Sequence, residues 1–117
     1  MKTAYLDRDV AEKIYELVGE HETENEYRHL TFDIYQLIRR KKKYTGISLG
    51  CFPAPDFSET IRILPNIGGK KGWERDEVTN KISMRRVSHI LAEIYMLAPT
   101  AEEGMKNVSD YLRRIIL

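Results

Sequence analysis

The sequence predicts a mainly α fold, α+β at its margin, with about four amphipathic helices and a small β hairpin between the second and third. Three observations carry this expectation. Apolar residues recur at helical spacing in four separate stretches, at Val10–Val18, Tyr27–Ile38, Met84–Leu97 and Ala101–Ile116. Polar capping residues stand at the head of several of them. Between the second and third stretches, residues 44–72 hold most of the glycines and three of the four prolines, which argues against helix there.

The first helix is expected over about 8–19. Asp7 or Asp9 is placed to cap it, Val10, Ile14, Leu17 and Val18 make one stripe, and Gly19 ends it. A second is expected over 24–42. Thr23 with Glu26 has the form of a capping box, and Tyr27, Leu30, Ile34, Leu37 and Ile38 keep helical spacing. Early acids and late bases suit the helix dipole. Phe32 and Tyr35 lie beside this stripe and either widen its buried face or meet a partner.

In the centre, Ile47–Leu49 and Thr60–Leu64 are strand candidates. The second alternates apolar and polar residues, and Pro65 closes it. Joined around a Cys51–Ser58 loop they would form the hairpin. Ser83 then caps a third helix, 83–98, whose stripe is Met84, Val87, Ile90, Leu91, Ile94 and Leu97; Pro99 ends it. Thr100 with Glu103 opens the fourth, 100–116. The whole, 1–117, reads as a single helical domain with a Gly/Pro-rich β/loop insertion at about 44–72.

Composition narrows the function classes. Hydrophobic residues make up 42% of the 117, enough to build a core rather than a disordered chain. One cysteine, Cys51, excludes an internal disulfide framework and a cysteine-rich metal cluster. The charged N-terminal stretch is not a secretory signal, and no apolar run reaches the roughly 20 residues of a membrane helix, so a cytoplasmic protein without membrane contact is expected. Net charge is +1 but unevenly spread. Residues 1–33 carry nine acids and four bases, whereas residues 34–117 carry nine acids and fifteen bases.

The basic half holds the strongest local signal. Arg39, Arg40, Lys41, Lys42 and Lys43 are adjacent cations followed by Tyr44, and Lys70, Lys71, Arg85 and Arg86 add further pairs. Phosphate would neutralise such a surface and release counterions, and Tyr44 and Trp73 would stack on exposed bases. The competing reading is a solvated helix end favoured by the dipole.

Other motifs fall short of chemistry. Gly68–Trp73 lacks phosphate-loop spacing and has no hydroxyl after the lysine. His21, His29 and His89 make no metal-ligand pattern, and Cys51 has no electropositive flank to activate a thiolate.

The expectation is therefore a non-catalytic, cofactor-free and metal-free nucleic-acid-binding or regulatory protein acting through its basic surface. The alternative is a protein-interaction module such as an inhibitor, adaptor or immunity-type factor, using the acidic N-terminal region or aromatic side chains. The apolar ending Ile115-Ile116-Leu117 needs burial, in the monomer's own core or in a homodimer, and the homodimer is expected.

Overall fold

The computed structural model describes residues 4–40, 50–71, 73 and 83–117. Among these are four helices and one three-stranded antiparallel sheet. Their order is α1 (Arg8–Val18), β1 (Asn25–Thr31), β2 (Ile34–Arg39), β3 (Cys51–Ala54), α2 (Phe57–Lys71), α3 (Met84–Leu97) and α4 (Ala101–Ile116). The strand order is β2-β1-β3. This is α+β, and the strands precede α2 instead of lying between the second and third helices.

Three of the four expected helices form where their patterns place them. Helix α1 ends at Gly19, whose φ of 76° lies in the left-handed region and whose N–H bonds to the Tyr15 carbonyl. Asp7 stands at its N-cap position but makes no side-chain cap. The carboxylate turns instead to Arg113, and the Asp7 N–H donates to the buried Ser109 hydroxyl at 2.9 Å. Ser83 caps α3 by accepting from the Arg86 N–H, and Thr100 caps α4 by accepting from Glu103. Helices α3 and α4 meet closely at Gly104, where a Cβ would lie 2.8 Å from the Tyr95 ring.

Residues 25–39 of the expected helix over 24–42 form a β hairpin. Its apolar residues keep helical spacing, but Tyr27, Thr31, Phe32, Ile34, Tyr35 and Ile38 are aromatic or β-branched and pack better across a pleated sheet. Phe32 and Asp33 form the two-residue turn. Thr23 consequently caps no helix; its hydroxyl donates to the Asn25 carbonyl.

The opposite correction applies to Thr60–Leu64, which lies inside α2 and not in a strand. Asp56 Oδ1 accepts from the Glu59 N–H and Glu59 Oε1 accepts from the Asp56 N–H, a reciprocal capping box. Thr60, Ile63, Leu64 and Ile67 then form a buried stripe. That stripe and cap hold the helix despite Pro65, which sits exposed on its outer side. Cys51–Ala54, expected as loop, is β3. Of the Gly/Pro-rich stretch, the described residues 50–71 include β3 and α2. The other strand candidate, Ile47–Leu49, lies outside the described residues.

The core lies between α1, the helices α2–α4 and the inner face of the sheet. It includes Leu6, Val10, Ile14, Phe52, Leu64, Ile67, Leu91, Met105 and Leu112. Phe52 is the hub on the sheet side, with the rings of Tyr15, Tyr27 and Tyr35 at 6.3, 5.7 and 5.8 Å. The chain's last residues dock on the monomer. Ile116 is buried, Ile115 packs against the core, and Leu117 alone of the three stays 59% exposed. The terminus therefore offers little of the apolar surface on which the homodimer expectation rested.

Candidate interaction surfaces

The β1–β2 hairpin is tied down along its inner face, from Tyr27 toward its base to Tyr35 beside the turn. At its base Tyr27 is half-buried and its hydroxyl donates to the Leu6 carbonyl, and burial pushes the phenol pKa up to about 12. Tyr35 packs under Arg8, whose guanidinium carbon lies 4.6 Å from the ring centre, and Arg8 is itself held by Glu12 at 3.2 Å. Glu26 is buried between its neighbours Ile38 and Pro53. Desolvation raises its carboxyl pKa, and Oε2 has no hydrogen-bond partner among the described residues.

Apart from Tyr35, the apolar side chains toward the turn are exposed. Leu30 is 52%, Phe32 89% and Ile34 56% exposed, and Leu37 is exposed as well. Phe32 also carries φ 45°, in the left-handed region that glycine or asparagine normally fills. The His29 Nε2–H donates to its carbonyl and steadies the turn. A strained backbone holding an aromatic ring out into water gains nothing for the core, and such outliers concentrate at functional positions.

Among the described residues, the basic side chains of the expected surface fall into two separate groups. Arg39 is exposed at the end of β2, but Arg40 folds inward. It donates to the His21 carbonyl at 2.8 Å and pairs with the Glu20 carboxylate, which removes its charge from the surface. Beside it, burial lowers the His21 pKa. Lys41, Lys42, Lys43 and Tyr44 lie outside the described residues.

Lys70 and Lys71 are exposed in the last turn of α2, and Arg85 and Arg86 in the first turn of α3. These turns are neighbours, because a Cβ on Gly68 would stand 3.3 Å from the Met84 sulfur. Arg40 is linked to the opposite end of α2: its N–H bonds to the Glu24 carbonyl, and the Glu24 N–H bonds to Glu59 at 2.8 Å. A 15-residue helix, about 22 Å long, separates the two groups. Trp73, expected to stack on a base, is 7% exposed and belongs to the core, with its ring against Gly68.

Cys51 is half-buried in β3 opposite Arg28, and His29 stacks on Tyr35 at 4.9 Å. Among the described residues, no three His, Cys, Asp or Glu side chains converge as a metal site. Among them too, no helix is long and apolar enough to cross a membrane.

Sequence reasoning missed the hairpin surface because its residues also fit the buried stripe of a helix. The signal that would have found it is the concentration of aromatic and β-branched residues on either side of Phe32-Asp33. No protein-family model matches this chain, and no curated protein or solved structure matches it.

Proposed function

We propose that the protein is a non-catalytic protein-interaction module whose contact surface is the β1–β2 hairpin. One observation carries the reading: the tip presents Leu30, Phe32 and Ile34 to solvent, with Phe32 held there at positive φ. Exposed aromatics in an apolar patch anchor protein interfaces because burying them on association recovers roughly 1.5–3 kcal/mol per large side chain. Affinity capture from cells expressing the chain tests it, comparing the wild type with a Leu30→Ser/Phe32→Ser variant. The variant retains its circular dichroism spectrum and loses the captured protein. Equal capture by both proteins, or no hairpin-dependent partner at all, overturns the reading.

A second reading, binding of a nucleic acid or another polyanion, is favoured by the neighbouring exposed pairs Lys70/Lys71 and Arg85/Arg86. Retention on heparin should then fall steeply with salt. Changing all four residues to Gln should flatten the slope by roughly one unit for each phosphate no longer neutralised. A wild-type protein that is not retained at low salt ends this reading.

A further inference from the structure

Strand β2 is an edge strand, and the polarity of its edge can be read from two hydrogen bonds. The His29 N–H bonds to the Gly50 carbonyl, so residue 29 faces β3 and residues 28 and 30 face β2. The Arg40 N–H bonds to the Glu24 carbonyl, so the even-numbered residues of β2 point their backbone groups at β1. The N–H and C=O groups of Tyr35, Leu37 and Arg39 therefore point outward along the edge that pairs with no other described strand. Six residues with Ile34, Gln36 and Leu37 exposed make this a template for another strand.

We infer that this edge of β2 pairs with β2 of a second copy about a twofold axis through Gln36, joining two three-stranded sheets into one of six. The inference rests on the hairpin being the contact surface and names one occupant for its edge. In this register Tyr35 and Leu37 of opposite copies exchange outward N–H and C=O groups, as an antiparallel hydrogen-bonded pair requires. Ile34 faces Ile38. Asp33 faces Arg39, so both ends of the paired stretch bring opposite charges together. Neither Asp33 nor Arg39 makes an ion pair with another described residue, so both charges are available to the second copy. Sliding by two residues one way sets Asp33 against Leu37; sliding the other way sets Arg39 against Tyr35. Charge and backbone polarity thus agree on a single register.

Sedimentation of the full chain at high micromolar concentration tests this. The wild type runs at twice 13.7 kDa. Asp33→Arg alone sets arginine against arginine, and Arg39→Asp alone sets aspartate against aspartate. Each weakens the dimer by about tenfold, from two unfavourable pairs at the cross-strand scale. An equimolar mixture of the two variants restores both opposite-charge pairs and dimerises as the wild type does. Leu37→Pro removes an outward N–H and abolishes pairing; if it also disturbs the hairpin, the charge-reversal series still decides the matter. A monomeric wild type, or a dimer indifferent to both reversals, overturns the inference. A monomer that still captures a partner through Leu30 and Phe32 removes self-pairing and leaves the hairpin reading intact. A dimer with no such capture upholds self-pairing and counts against an outside partner.

Discussion

The α3–α4 pair and the β1–β2 hairpin both carry apolar residues at helical spacing, yet only the first becomes helical. In α3 and α4 the local signals agree with the tertiary outcome except at Leu97, which closes its stripe 78% exposed. Ser83 and Thr100 cap, Pro99 separates, and Val87, Leu91, Met105, Val108 and Leu112 go straight into the core. In the hairpin the same spacing is coincidental. Its strands exist because they pair with each other and with β3, and Tyr35 is the apolar side chain of their outer half that packs against the core. Periodicity alone reports helix where a stripe is buried along its whole length. Where it is not, cross-strand pairing and residue shape decide.

Perturbing each region should expose that difference. The largest effect belongs to the helical pair: Leu91→Ala should lower unfolding free energy by about 3 kcal/mol in urea, since Leu91 is fully buried. A loss under about 1 kcal/mol would mean that the pair is not the stable half. Gly104→Ala should cost about 2 kcal/mol, because the new methyl meets both the Tyr95 ring and its carbonyl. The complementary change Tyr95→Leu in the same background should recover part of it by withdrawing the ring.

At the base of the hairpin the sign reverses. Burial raises the Glu26 pKa above its ordinary value, so the folded state favours the protonated acid. Its contribution is present below the unfolded pKa and is lost as pH rises through the folded value. Glu26→Gln should therefore stabilise by roughly 1 kcal/mol at neutral pH, with the gap to wild type closing as pH falls toward 4.5, the ordinary value. A gap that does not vary with pH would remove the carboxylate as its cause. The smallest effect is at the tip. Phe32→Gly should gain about 0.5 kcal/mol, relief of positive φ offset in part by glycine's freedom when unfolded, while capture of the partner is lost. Stability and binding moving in opposite directions would separate this residue from a structural one.

How much could be read beforehand follows the same division. Helices α1, α3 and α4 were readable because stop and cap residues flank clean stripes. Helix α2 was hidden by an ambiguity: Thr60-Ile61-Arg62-Ile63 alternates like a strand, while Thr60, Ile63, Leu64 and Ile67 recur like a helix. Asp56 with Glu59 was the arbitrating signal, obscured by the surrounding prolines and glycines. The candidate surface was less accessible still. Cations adjacent in sequence, such as Arg39 and Arg40, end on different sides of a strand, and Arg40 is consumed by Glu20. Trp73 lies among basic residues but enters the core. Only tertiary contacts decide such fates.

The junction of α1 with α4 carries a further consequence, for the order in which the molecule assembles. Arg113 reaches Asp7 at 2.8 Å and Asp9 at 2.8 and 2.9 Å, and Ser109 receives the Asp7 N–H. These partners stand more than a hundred positions apart along the chain. During synthesis, α1 leaves the ribosome long before the groups that complete its first turn, and the hairpin emerges while the helical floor beneath it is unfinished. Closing so long a loop is slow relative to forming a helix or a hairpin. The nascent chain thus passes through an interval in which the hairpin is already paired while α1 still lacks the α4 groups that complete its first turn.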